Sequence, residues 1–594
     1  MNNNKVSKKS VNQKKNVSPV KGAKKAKRFG IYLYCILAAS ILFSLLSVSF
    51  HGDISLLALP VAFIYTAVTV FFGYFKMLKP KDGTSYFKVL KLIQYLPFVL
   101  LLSFILRRAG EFGTSYAYDV ITVIVWCVIF VLSLIISNCL NDKHFEVSMT
   151  NWNVVPEKKQ KPKGVGRILF ELVDWVDALI QAVFMVLLIQ IFILQLYVIP
   201  SESMVPQYLI GDRVAVSKLN CGPKFPLTDI GLNDFTKYKR GDIVVLRNPH
   251  YSIDRKSEVK TVVSQLVYML TFTGVNMNTD ENGEPKYDPL VKRITGEAGE
   301  QLVMQDGVLY RRTKDSDKFT PAELDNKYAA WNLNAVDPSI RGGIQTLPLT
   351  NFQYNEMIDF EKTRRNFDLD AAEIEVKDLT EKFKSLVFTD NLLGAFNQEH
   401  MYINKYNGVY VTDLTGTLEQ NFLALMNKEG GAEWFENFMT SWIPSKDVEK
   451  DMYSESNYRI NVMAKVYFGN LAVRYAELTK ENLSYNDDAV IQDNLSKLSD
   501  LISYVNTLDF RNMPVFPAND EKGNPVYIPE DCYFMMGDNR FNSMDLRHDY
   551  DYVQKPLTSY DTSSFEYASL MNPQYINKKL ILGKPVMRIW RKKR

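Results

Sequence analysis

Ile199-Pro200-Ser201-Glu202-Ser203-Met204-Val205-Pro206 is the stretch on which the reading of this chain turns. It follows an apolar run, Ala178 to Val198, close to the roughly 20 residues that a helix needs to cross a bilayer. A serine here would stand where the chain leaves a membrane. Alone, Ser203 reads as a turn or helix cap as readily as a nucleophile, because a serine hydroxyl needs a base to react at neutral pH. Two later stretches offer partners: Val291-Lys292-Arg293-Ile294-Thr295-Gly296, and Met536-Gly537-Asp538-Asn539-Arg540-Phe541-Asn542-Ser543-Met544-Asp545.

Toward the N-terminus, residues 1–28 hold ten Lys and Arg and no acid, and predict a disordered basic arm. The chain's formal charge of +4 is a property of that arm, since the remainder carries 60 basic against 66 acidic residues. This balance fits a membrane surface and excludes a nucleic-acid-binding domain. Four apolar runs predict membrane helices near Phe29–Phe50, Leu56–Phe75, Val89–Leu106 and Val120–Leu140, with Ala178–Val198 as a fifth. A cleaved leader is excluded, because the first run is too long and more follow it. Lysines 76, 79, 81 and 88, and then Lys158, Lys159, Lys161, Lys163 and Arg167, predict cytoplasmic loops, as the basic arm does. Arg107 and Arg108 in the third-to-fourth loop argue mildly the other way. Five spans from an inside start put everything after Val198 outside the cytoplasm. Glu171, Asp174 and Asp177 share one helical face and read as an interfacial helix with its acids in water.

Beyond Pro200 the pattern changes to short strand-like runs, Arg213–Val216, Asp242–Arg247, Leu302–Met304 and Gly307–Tyr310, separated by turn residues. Helical spacing then dominates from 312 to 525, as in Ile460, Met463, Tyr467, Leu471, Tyr475 and Leu478, and in Ile491, Leu495, Leu498, Ile502 and Val505, with one strand-like run at Val409–Thr412. The expected division is a cytoplasmic arm (1–28), four transmembrane helices (29–140), a cytoplasmic loop with an interfacial helix (141–177), the fifth span (178–198), a β domain in two parts (199–311 and 526–594) and a helical insert between them (312–525). Cys35, Cys127 and Cys139 lie in apolar runs, and whether Cys221 pairs with Cys532 is left open. His51, His144, His250, His400 and His548 are scattered and no CxxC or HExxH occurs, so no metal site or cofactor is expected.

A lysine serves as a base only when neutral, and burial lowers its pKa by penalising the charged form. On a strand, Lys292 and Arg293 would face opposite ways, one toward a dry site and one toward a carboxylate. The four stretches Pro200–Pro206 with Gly211-Asp212, Arg240-Gly241-Asp242-Ile243-Val244-Val245-Leu246, Lys292-Arg293-Ile294-Thr295-Gly296 and Gly537–Asp545, in this order after a span, resemble the bacterial type I signal peptidases. Those are membrane-bound Ser–Lys endopeptidases that remove signal peptides from exported proteins. The resemblance covers about 178–305 and 526–590. It implies Ser203 as nucleophile and Lys292 as general base, with the Ser203 N–H and the Ser201 hydroxyl as oxyanion donors. It further implies that Ser543 orients the lysine, and that Arg293 with Asp538 and Asp545 with Arg547 are supporting ion pairs. The implied fold is a mainly β extracytoplasmic domain related to the self-cleaving SOS repressors, on a multi-span helical membrane region. The implied substrate lies extended on a strand edge, with Ala-like residues one and three before the cut. Signal peptides of exported preproteins and membrane lipid are the expected partners, and export machinery is a candidate partner.

The chain departs from that pattern at Gln207 (usually Thr), Glu297-Ala298 (Leu-Pro), Phe541 (Asp), Leu546 (a small residue) and His548-Asp549-Tyr550 (an aromatic and Gly). Two other readings use the same residues. One is a silent membrane scaffold with the insert as its partner-binding surface. The other is a repressor-like self-cleaving protease, disfavoured because membrane spans replace a DNA-binding part.

Overall fold

A computed structural model describes residues 19–111, 114–141, 144–150, 152–155, 165–232, 236–251, 255–271, 274–275, 277, 288–386, 431–440, 451–481, 483–484, 487–548, 555–556 and 568–590. The chain divides into two compact units. The first comprises Met1–Gln195, Gly222–Asp234 and Ser252–Lys286, and the second Leu196–Cys221, Phe235–Tyr251 and Tyr287–Arg594.

The first unit is helical: α1 (Pro19–Leu45), α2 (Ala58–Val70, prolonged by a wider turn to Leu78), α3 (Tyr86–Arg108), α4 (Tyr116–Cys139), α5 (Val165–Phe192) and α6 (Arg255–Leu270). Five helices, Lys24–Leu45, Ile54–Leu78, Gly83–Arg108, Tyr116–Cys139 and Glu171–Phe192, are long and apolar enough to cross a membrane. Phe29, Ile36, Phe43, Ile93, Leu100, Trp126 and Ile129 build their common core. Polar bonds fix the packing: Ser44 Oγ donates to Thr66 Oγ1 at 2.9 Å, and Ser103 Oγ donates to Ala58 O at 2.7 Å. The Trp126 indole donates to Pro97 O at 2.8 Å, so the helix carrying Pro97 is held by its neighbour at that proline.

Several expected boundaries move. The expected arm of 1–28 already contains the start of α1, at Pro19, a residue suited to a first helical turn, and Ala26 is buried. Residues 1–18 lie outside the described residues, as do His400, Val409–Thr412 and the lysines at 158–163. The expected interfacial helix and fifth span are one continuous helix, α5, that ends at Phe192 rather than Val198. After it, the chain enters strand β1 (Leu194–Val198), whose burial alternates, and Pro200 bars a helix from continuing. Asp177 is only partly exposed and is not a lone solvated acid. It pairs with Lys91 and accepts from Tyr95 Oη and Gln181 Nε2, each at 2.7 Å. Arg107 is a bundle residue instead of a loop charge: it is buried and donates to Asp119 at 2.8 Å, while Arg108 reaches the same carboxylate at 3.0 Å.

The second unit holds two sheets. The seven-stranded one has the order β1-β2-β13-β3-β4-β9-β12, with β2 Arg213–Ser217, β3 Ile243–Leu246, β4 Leu290–Gly296, β9 Cys532–Met536, β12 Ile576–Asn577 and β13 Ile581–Trp590. The four-stranded one has the order β7-β6-β5-β8, with β5 Glu300–Gln305, β6 Val308–Thr313, β7 Ser316–Pro321 and β8 Met513–Phe516. A two-residue ladder joins β10 (Lys555–Pro556) to β11 (Ala568–Ser569). Gly296 lets β4 turn into β5, because a Cβ there would lie 2.5 Å from Leu302 Cδ1 and 2.9 Å from Phe534 Cβ. Between β7 and β8 the described chain is helical: α7 (Glu323–Tyr328), α8 (Asn351–Arg365), α9 (Leu369–Leu386), α10 (Gly431–Thr440), α11 (Met452–Lys480), α12 (Ala489–Val505) and α13 (Leu508–Arg511) are its principal helices.

The helical stretch is narrower than 312–525, since β7 and β8 belong to the sheet. Asp317 and Lys318 mask the alternation of β7, and β8 is only four residues long with Pro514 within it. The range 199–311 is not uniform either: Gly222–Asp234 and Ser252–Lys286 group with the first unit. Phe225 explains the former, stacking edge-on against Trp126 at 5.4 Å and Phe192 at 4.9 Å. Helix α6 accounts for part of the latter and was not foreseen, although Val259, Val262, Leu266 and Met269 keep helical spacing.

Candidate active site

Strand β4 carries Lys292 and Arg293 in the middle of the seven-stranded sheet, opposite Val244 and Ile243 of β3. Neighbouring positions point to opposite faces, and the two cations meet different surroundings. Lys292 is 2% exposed, and its Nζ donates to Ser543 Oγ at 2.9 Å. Burial pushes its pKa down to about 8, with Asp545 acting weakly against that. Arg293 makes a two-pronged pair with Asp538, Nε to Oδ1 at 2.7 Å and Nη2 to Oδ2 at 2.6 Å.

The loop that follows β9 ties these groups to Ser203. Asn539 N donates to Ser203 O at 3.1 Å, and Asn539 Nδ2 donates to Glu202 O, also at 3.1 Å. Gly537 lies at the junction, where any Cβ would collide with the Ser203 carbonyl oxygen and the Ser543 hydroxyl. Its N–H donates to Asp545 Oδ2 at 3.0 Å, and Asp545 pairs with Arg547 at 2.8 Å. Burial alone would raise the Asp545 carboxyl, but the Arg547 guanidinium holds it well below the usual range. Ser201 Oγ donates to Ser203 Oγ at 3.3 Å.

The structure thus brings Ser201, Ser203, Lys292, Ser543, Arg293, Asp538, Asp545 and Arg547 into one connected network. Among the described residues no hydrogen bond joins Lys292 Nζ to Ser203 Oγ directly, and no group of His, Cys, Asp and Glu could hold a metal ion. No disulfide joins Cys221 to Cys532. Cys221 Sγ donates to Leu582 O at 3.0 Å. The hydroxyl bonded to Lys292 is that of Ser543; in its neutral form a buried lysine amine can take a proton from a serine hydroxyl that reaches it.

The family model for signal peptidase, peptidase S26, matches residues 172–368. That stretch, about a third of the chain, is similar to the S26 peptidases. Signal peptidase I of Buchnera aphidicola subsp. Schizaphis graminum is 40% identical over 78 residues, 13% of this chain and 25% of that protein. Signal peptidase I of Buchnera aphidicola subsp. Baizongia pistaciae is 28% identical over 197 residues, 33% of this chain and 56% of that protein. Signal peptidase I of Haemophilus influenzae is 21% identical over 233 residues, 39% of this chain and 64% of that protein. The chain therefore spans between a quarter and just under two thirds of these relatives. No solved structure matches it.

The S26 match continues past β7 and through α8, further than the first motifs alone reach, and stops before the Gly537–Asp545 loop. The geometry agrees that the start of the helical region belongs to the site. Asp325 of α7 pairs with Arg540 at 2.6 Å, both nearly inaccessible. Tyr328 lies under the Arg293 guanidinium at 3.8 Å. Ala330 N donates to Asp538 O at 2.7 Å, and Arg540 N returns a bond to Ala330 O at 3.2 Å. Among the described residues the insert holds the groups that surround the candidate site. Arg540 and Asn539 stood inside a motif already singled out, whereas nothing in the sequence marked Asp325 as Arg540's partner.

Two departures from the family pattern now have a physical reason. Phe541 is buried in the helical core, edge-on to Trp331 at 5.3 Å and beside Phe510 at 5.8 Å. It is a docking residue for the insert, where an aspartate would be desolvated. His548 also meets Phe510, at 5.9 Å, and burial pushes its pKa down to about 4.

Proposed function

We propose that this membrane-anchored S26 peptidase cleaves N-terminal signal peptides from exported preproteins on the outer face of the cytoplasmic membrane. Lys292 carries the reading, as a lysine buried in the sheet, bonded to Ser543 and with its pKa pushed down to about 8, so that the neutral amine is within reach at mildly alkaline pH. In the first step the Ser203 hydroxyl adds to the scissile carbonyl carbon while its proton passes to the Lys292 lone pair. The Ser203 N–H and the Ser201 hydroxyl donate to the oxygen that becomes negative. Lys292 then returns the proton to the departing amine, leaving an ester on Ser203. A water, deprotonated by the same amine, hydrolyses that ester. Ser543 keeps the Lys292 amine aimed, and the pairs Arg293–Asp538 and Asp545–Arg547 keep the loop in register.

The basic arm and the lysine-bearing loops support placing the second unit outside the cytoplasm. Cleavage of an exported precursor by the purified full chain tests the reading. Ser203→Ala and Lys292→Met should each abolish cleavage, and wild-type turnover in both would end it. A membrane-impermeant label applied to whole cells should reach residues 323–511, and protection of the whole stretch would reverse the topology.

A further inference from the structure

We infer that the insert is part of the nucleophile's scaffold and that Glu202 is the positioning residue through which it acts, an inference that rests on the Ser203 reading above. Glu202 stands between the two serines and is only 5% exposed. A buried carboxylate needs hydrogen bonds or a cation. Among the described residues no Lys or Arg meets this one. Its oxygens instead accept backbone N–H groups from the insert, Gln345 N and Thr346 N, the latter at 3.0 Å, with Asn542 Nδ2 at 3.4 Å. Amides aimed at a carboxylate form a strong, directional clamp. The same residue is held from behind, since its carbonyl accepts from Asn539 Nδ2 at 3.1 Å and from Val205 N at 3.0 Å. Residue 202 is therefore gripped on one side by the loop that carries Ser543 and on the other by the insert.

Apolar packing reinforces the grip. Val205 and Leu209, just past the nucleophile, are buried against Leu333, with Val336, Ile340 and Ile344 around them. Gly343 permits that approach, since a Cβ there would lie 2.6 Å from Leu209 Cδ1. The strand-rich part of the domain supplies the loop of Ser543 to this turn, and the insert supplies the opposite wall. A long insertion placed on a loop purely as an appendage would not need a buried charge beside the reacting serine. Losing the clamp should tilt Ser203 without touching Lys292. Displacements of about 1 Å at a reacting atom can cost on the order of a hundredfold in rate.

The test uses the full chain in detergent, an exported precursor with Ala one and three residues before the cut, and a fluorophosphonate probe for Ser203. Glu202→Ala should lower kcat by about 10- to 100-fold with KM within about twofold, and slow labelling of Ser203 by the same factor. The midpoint of its pH profile should stay where the wild type has it. Glu202→Gln, which keeps one acceptor oxygen, should recover much of the loss. Gly343→Val, which wedges the insert off Leu209 without altering the turn, should reproduce the kcat defect. Wild-type kcat in Glu202→Ala, or a loss confined to KM, overturns the inference. If Glu202→Ala does not yield folded protein, Gly343→Val decides by the same criterion. Cleavage by a Ser203→Ala control would bring down the underlying reading as well, whereas a dead control beside a fully active Glu202→Ala would sink the clamp alone.

Discussion

Lowering the pH from 9 to 6 should switch the enzyme off through one amine. Burial of Lys292 brings its pKa from 10.5 to about 8. The neutral fraction of such an amine is about nine tenths at pH 9, about one half at pH 8, about one tenth at pH 7 and about one hundredth at pH 6. If the neutral form is the base, kcat/KM falls about tenfold per unit below pH 8, or about ninetyfold between pH 9 and pH 6. Initial rates on a fluorogenic precursor peptide, at constant ionic strength in detergent, would record this. Ser543→Ala should lower kcat while leaving the midpoint in place, because burial rather than the Ser543 bond sets the shift. Stability should move in the same sense, but over a higher window. Between pH 8 and 10.5 the unfolded chain binds a proton at this lysine that the native protein does not, so the native state gains stability as pH rises through that window and carries the full deficit below it. That deficit is about 3 kcal/mol, so Lys292→Met should be inactive yet more resistant to denaturant at pH 7. A flat rate profile from pH 9 to 6, or a midpoint above 10, would refute the reasoning.

Further expectations follow from other buried groups. His548 has its pKa lowered from 6.5 to about 4, so native stability is complete above pH 6.5 and declines as pH falls toward 4. His548→Leu should remove about 3 kcal/mol of that acid-side decline, and an unchanged dependence of melting temperature on pH over this window would contradict it. Phe541→Asp, although it restores the family's usual residue, should destabilise the second unit by about 3 kcal/mol, because it desolvates a carboxylate between Trp331 and Phe510. Limited proteolysis between residues 351 and 505 should accelerate in that variant, and unchanged resistance would mean that Phe541 does not dock the insert. Arg293→Lys should cost about 3 kcal/mol by breaking the two-pronged pair with Asp538, and a melting curve equal to wild type would show that pair to be dispensable.

The candidate site was legible because Ser203, Lys292 and Ser543 lie in short, ordered stretches whose residue types suggest the chemistry proposed for them. The spans were legible because a run of about 20 apolar residues has few alternatives. What the residues did not reveal depended on partners far along the chain. Asp325 and Arg540 are 215 positions apart and Glu202 and Gln345 are 143 apart, and neither pair has a local signature. Asp177 looked like a solvated acid because its partner Lys91 lies on another helix. Strand β7 was hidden by Asp317 and Lys318 within it, and β1 by an apolar sequence that continues the helix before it. Phe541 read as an anomaly only while the insert was treated as a separate body.

Mass analysis of the enzyme after reaction with a fluorophosphonate probe at pH 8.5 tests the central claim most directly. A single adduct on the peptide containing Ser203, formed quickly in the wild type and at least about a hundredfold more slowly in Lys292→Met, is the expected result. An adduct on another serine, or equal rates of labelling with and without the Lys292 amine, would contradict it.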